Sequence, residues 1–191
     1  MKQTRFLLCF HYVVFLMYSL QCGFVYGSQI EGLSSGTMIS QFTLPSPDSD
    51  ETRDYLGLKA MGPFTLSNID SKLVLIELLS VTCGACNLNA PISNRLYNVI
   101  RKDAFLAGDI KMIGIAFGNN EKEIFAFKNR YKIRYPIFPD EECAIATMLG
   151  VMETPGMVLA TTDGKVLTSH GGMIRDFDGF LKELRDICKK Q

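Results

Sequence analysis

Cys83 and Cys86 are separated by two residues, Gly84 and Ala85. Two cysteines at this spacing can hold a metal, staple the chain, or exchange disulfides with another protein. Stapling is a poor reason for the pair, because so short a loop constrains the unfolded chain little. The pair follows residues 72–81, a run of almost continuous Leu, Val and Ile, and precedes helix-like sequence that continues to about Lys102. A buried strand that gives way to a helix puts Cys83 at the helix N-terminus, where backbone N–H groups lack partners and the macrodipole is positive. A thiolate is stabilised there, so Cys83 is expected to have a lowered pKa and to be the nucleophile. Cys86, one turn later on the same face, can attack the resulting mixed disulfide and release the partner.

Glu77 is the only charge between Leu73 and Val81. Burial would raise its pKa, because ionising a carboxyl group in a low-dielectric site is costly. Such a group near Cys86 could take the proton as Cys86 attacks.

The elements that must position these residues follow from pattern. Residues 72–81 read as a strand buried on both faces of a parallel sheet, and residues 109–118 as a second. Between them lies the cysteine helix, with Pro91 inside it as a kink. Residues 119–132 are amphipathic, with Ile124, Phe127 and Tyr131 at helical spacing. A short strand in "YPIFPD" precedes a helix closed by Gly150. Residues 156–172 read as a hairpin turning at Asp163-Gly164, and a closing amphipathic helix ends near Cys188. Short strands are also expected from Gln41 and at Phe64–Leu66. The order β-α-β-α-β-α, then hairpin and helix, predicts a parallel core extended on one side by an antiparallel hairpin, with helices on both faces.

The N-terminus has a separate role. Lys2 and Arg5 precede an uncharged, largely apolar stretch of 15 residues, 6–20, and Val25 and Gly27 stand before Ser28 as in a cleavage site. Residues 1–27 therefore read as a secretory signal peptide, the alternative being a retained membrane anchor. Residues 28–40, rich in Gly and Ser, read as a linker, and residues 41–191 as one domain. Basic and acidic side chains balance at 20 each, with no basic run, which argues against nucleic acid as a partner. Export keeps Cys83, Cys86, Cys143 and Cys188 in an oxidising compartment. Cys143 is expected to be half-buried and inert, or paired with Cys188; Cys188 has no assigned role. His170, the only histidine after residue 27, is expected at the surface.

With these features in place, the chain resembles the thioredoxin superfamily, and most closely its exported TlpA/ResA-like thiol–disulfide oxidoreductases, from about Phe42 to Cys188. The matches are Cys83-Gly84-Ala85-Cys86 after a central strand, Ala90-Pro91-Ile92 in the following helix, Glu77 six residues before the first cysteine, and "CAIATMLGVMETPG" before the hairpin. The resemblance implies an α/β thioredoxin-like fold: a central mixed sheet flanked by helices, an N-terminal extension, and a strand–helix insertion before a cis-proline. It implies that Pro155 is cis and that the backbone of Thr154 faces Cys83 and binds the substrate strand. It implies a redox disulfide between Cys83 and Cys86, catalysis by these two with Glu77, no metal and no organic cofactor. The expected partners are exported cysteine-containing proteins and a membrane electron donor or acceptor, and the expected location is the bacterial periplasm. The chain departs from the family in having Thr82 where a tryptophan usually precedes the first cysteine, and Gly-Ala between the cysteines. Both departures bear on the redox poise and hence on the direction of electron flow.

Two other functions compete on the same fold. A copper metallochaperone usually carries Cys-x-x-x-Cys and a nearby histidine; this pair is one residue shorter, and His170 follows the hairpin. A peroxidase of the peroxiredoxin type is suggested by "KNRYKIRYPIFPD", but "LLSVTCGAC" lacks the Pro-x-x-x-Thr-x-x-Cys pattern of those enzymes.

Overall fold

The computed structural model describes residue 30, residues 33–151 and residues 153–191. The segment read as a signal peptide, residues 1–27, lies outside them. Among the described residues no helix is long and apolar enough to cross a membrane.

β1 (Leu73–Leu79) is the central strand, buried along its whole length. Strand alternation sends Leu73, Leu75 and Leu79 into one apolar core and Val74, Ile76 and Leu78 into another. β2 (Ile110–Phe117) and β3 (Ile137–Asp140) continue the sheet in parallel on one side of β1. The hairpin of β4 (Gly156–Thr161) and β5 (Val166–Gly171) extends it in antiparallel fashion on the other. The strand order is β3-β2-β1-β4-β5.

Helix α1 (Asp50–Leu56) precedes the sheet; α2 (Gly84–Lys102), α3 (Glu121–Tyr131) and α4 (Ala144–Leu149) connect its strands, and α5 (Phe177–Cys188) closes the chain. The first core lies under α2, α3 and α5, through Leu96, Ile124 and Leu184 among others. The second is covered by α4 and the N-terminal stretch, through Leu33, Phe42, Leu56 and Leu149. This is the mixed sheet with helices on both faces that the pattern predicts.

The differences lie at the N-terminal side. The strands expected from Gln41 and at Phe64–Leu66 reduce to one isolated bridge, Leu44 to Phe64, and Leu66 begins a 3-10 turn. Residues 50–56, which the sequence pattern leaves without an element, form α1: the Ser49 hydroxyl caps its start by accepting from Thr52 N–H, and Gly57 ends it at φ 67°. Residues 33–39, read as linker, pack on the domain. Leu33 and Ile39 are buried, and backbone bonds join Gly36 and Thr37 to Val166 and Ile39 to Gly164, which covers the exposed edge of β5. Cys143 and Cys188 pack against opposite faces of the sheet and are unpaired.

Candidate functional site

β1 delivers the chain to a short turn, residues 80–82, and Cys83 caps α2. Its backbone is extended (φ −76°, ψ 122°), and its N–H donates to Ser80 O at 3.1 Å. The turn is held from two sides. The buried Asn119 side chain accepts from Val81 N–H at 2.9 Å and from the Ser80 hydroxyl at 3.1 Å. From the helix, Asn87 Nδ2 donates to Val81 O at 3.4 Å. Asn119 is itself placed by the start of α3, where Asn120 and Glu123 cap each other's backbone N–H groups.

The two thiols have unequal surroundings. Cys83 is half-buried and Cys86 only 1% exposed. Cys83 Sγ accepts from Cys86 N–H at 3.3 Å and lies 3.4 Å from Thr154 O, to which its own S–H donates. Partial burial works to raise the Cys83 pKa, but the Cys86 thiol and backbone N–H, the Thr154 side chain and the Ala85 N–H together hold it below the ordinary thiol value. Cys86 goes the other way. Burial pushes its thiol up to about 12, and the neighbouring Cys83 adds to the rise. The start of α2 therefore holds one thiol easily ionised and one that keeps its proton.

Glu77 projects from β1 into the first core and is 2% exposed. Both paired neighbours in the sheet, Gly114 on β2 and Met157 on β4, are uncharged. A side chain at Gly114 would come within 2.9 Å of Ile137, so glycine permits the close approach of β2 and β3 here. Burial raises the Glu77 pKa, and three donors oppose the rise. The Ser93 hydroxyl donates to Oε1 at 2.6 Å and Asn89 Nδ2 to the same oxygen at 3.3 Å. The Tyr135 hydroxyl donates to Oε2.

The Thr154–Pro155 peptide bond is cis. It brings Thr154 O to Cys83, with Thr154 half-exposed and Pro155 buried. Gly172 N–H donates to Pro155 O at 2.8 Å, fixing this loop to the end of the hairpin. The structure thus gathers Cys83, Cys86, Thr154 and Pro155 at one end of the sheet, and Glu77 is buried on the sheet face that carries Cys86, bonded to Asn89 and Ser93 of α2 and to Tyr135. His170 is half-buried, with its ring against Phe180. Among the described residues no three His, Cys, Asp or Glu side chains come together as a metal ion would require.

Sequence reasoning missed Asn89, Ser93, Tyr135 and Asn119. For two of them a signal existed. The buried stripe of α2 runs Cys86, Asn89, Ala90, Ser93, Leu96, Tyr97, Ile100, and two polar residues four apart in such a stripe must face a buried polar group. Asn119 follows an apolar strand and precedes a capping box, which marks a turn but not its target.

The model of the AhpC/TSA family matches residues 36–176. The thiol-disulfide oxidoreductase ResA of Halalkalibacterium halodurans is 20% identical over 127 residues, covering 66% of this chain and 68% of that protein. The thioredoxin domain of a thiol-disulfide oxidoreductase from Bacteroides vulgatus superposes with a TM-score of 0.59 at 14% identity, over 80% of this chain and 99% of the other. A secreted Mycobacterium tuberculosis disulfide oxidoreductase homologous to DsbE gives 0.57 at 18% identity, over 76% and 96%. The likeness to these two structures is one of fold.

Proposed function

Because the chain belongs to the AhpC/TSA family and sets an easily ionised thiol against a buried, protonated one, we propose that it is an exported protein thiol–disulfide oxidoreductase acting through Cys83 and Cys86. The asymmetry of the two thiols at the start of α2 carries this reading. The ResA likeness supports it.

In the reducing direction, the Cys83 thiolate attacks one sulfur of a partner's disulfide. A new S–S bond forms between Cys83 and that sulfur, the partner's own S–S bond breaks, and the other partner sulfur leaves as a thiolate that takes a proton. Cys86 then attacks Cys83 Sγ. Its proton passes to Glu77, its electron pair forms the Cys83–Cys86 bond, and the second partner sulfur leaves. Two electrons have moved from the dithiol to the partner. The oxidising direction uses the same atoms in reverse. In this reading Thr154, half-exposed and in contact with Cys83 through its carbonyl oxygen, meets the partner's backbone as it docks.

The substrates in this reading are exported proteins with cysteines, and a membrane electron donor or acceptor restores the pair. The N-terminal segment directs export to the periplasm, with residues 1–27 removed. Dithiothreitol-driven reduction of insulin tests the activity. It should be accelerated by the protein and lost in Cys83→Ser. An unaccelerated reaction, or one that Cys83→Ser still accelerates, would overturn the reading.

A further inference from the structure

The hydrogen bonds around Glu77 distinguish its two oxygens. Ile174 N–H donates to Asn89 Oδ1 at 3.1 Å. That contact fixes the amide, so Asn89 Nδ2 is the side that donates, to Ser93 Oγ at 3.0 Å and to Glu77 Oε1 at 3.3 Å. Ser93 Oγ receives the Asn89 hydrogen, so its own hydrogen goes to Oε1 at 2.6 Å. Oε1 therefore accepts two donors, one for each lone pair. A proton on Oε1 would be driven against one of them. Oε2 has a single partner, the Tyr135 hydroxyl, which can both donate and accept. Tyr135 is 0% exposed, so bulk water does not compete for this contact.

We propose that Glu77 takes up and gives back its proton only at Oε2, and that the Tyr135 hydroxyl is the positioning residue that turns from donor to acceptor as it does so. This rests on the exchange mechanism above for its place in the reaction, though not for its geometry. During resolution the proton leaves Cys86 Sγ and comes to rest on Oε2. The electron pair left on the sulfur forms the bond to Cys83, and the partner thiolate departs with the other electron pair. Tyr135, which precedes β3, is the titratable group that touches Glu77; the same core also holds Cys86 and Tyr97 on α2 and Cys188 on α5, with Tyr55, Cys83 and Tyr131 at its margin, while Asn89, Ser93, Gly114 and Met157 do not titrate.

Infrared spectroscopy of the reduced protein, with the Glu77 carboxylic band identified by its loss in Glu77→Gln, tests the assignment. In the protonated form Oε1 is the carbonyl oxygen and carries both donors. Ser93→Ala should move the C=O band to higher wavenumber, because one donor is gone. Tyr135→Phe should leave the band nearly in place but raise the pH at which it disappears by about one unit, the order of a lost hydrogen bond to a carboxylate. The pH profile of resolution by Cys86 should move up by the same amount, with attack by Cys83 unchanged. A band that moves in Tyr135→Phe and stays fixed in Ser93→Ala would place the proton on Oε1 and overturn the proposal. If Tyr135→Phe does not fold, an unmoved band in Ser93→Ala overturns it alone. The expected bands in a protein without insulin reductase activity would overturn the exchange reading and leave the oxygen assignment standing.

Discussion

Alkylation of the reduced protein at pH 7 should fall almost entirely on Cys83, and the size of the preference follows from the two environments. Burial pushes the Cys86 thiol up to about 12, which leaves roughly one molecule in 10⁵ as thiolate at pH 7. An unshifted thiol on the same scale, at 9.0, is roughly 1% thiolate at pH 7, about 1,000 times the fraction of Cys86. A more basic thiolate is the better nucleophile, and with a Brønsted slope near 0.45 this offsets roughly 20-fold. A preference of about 45-fold over Cys86 remains for such a thiol; Cys83 is held lower still, and the burial of Cys86 adds to the preference by excluding the reagent. Brief treatment with iodoacetamide, digestion, and fragmentation of the peptide spanning both cysteines measures it directly. Modification of Cys86 first, or of both at similar rates, would refute the account of how the start of α2 differentiates the thiols.

Glu77→Gln should slow resolution by Cys86 more than attack by Cys83 in single-turnover kinetics with a mixed disulfide; equal effects on both steps would make Glu77 a packing residue. The same substitution should flatten the pH dependence of stability. Burial raises the Glu77 pKa in the folded state, so its favourable contribution is fully present below the unfolded-state pKa of about 4.3 and is lost as pH rises through the folded-state pKa. The stability of the wild type to denaturant should therefore fall over that window relative to Glu77→Gln, and parallel curves would contradict the raised pKa. Asn119→Ala removes both bonds that tie residues 80–82 to α3 and should cost about 1–3 kcal/mol of stability. It should also lower the rate of attack by Cys83, and an unaffected rate would show that α2 alone fixes the nucleophile.

The sheet was legible because β1, β2 and β4 are largely apolar on both faces and most of the helices carry their own caps; residues 72–79 and 84–102 declare themselves without tertiary information. α1 was not, since its seven residues carry little periodicity and its signal is the Ser49 cap and the Gly57 stop. Residues 33–39 read as linker because Gly and Ser make up nearly half of residues 28–40, while Leu33 and Ile39, which pack them on the domain, find their partners far along the chain. In the site, the cysteines and Glu77 stood out by chemistry against an apolar background. Tyr135 did not, because its partner lies 58 residues away and is reached only through the parallel register of β1, β2 and β3. A buried carboxylate announces that donors must exist, but which hydroxyl supplies them is a property of the fold.

The central claim is a division of labour in which Cys83 attacks and Cys86 resolves. Its most direct test is expression of Cys86→Ser in cells that export the protein, followed by a non-reducing gel after acid quenching. Attack by Cys83 should proceed and stop, leaving a covalent adduct through Cys83 that reductant releases, with no such adduct in Cys83→Ser or in the double variant. An adduct that forms in Cys83→Ser and not in Cys86→Ser would reverse the roles, and no adduct in either would contradict exchange through this pair.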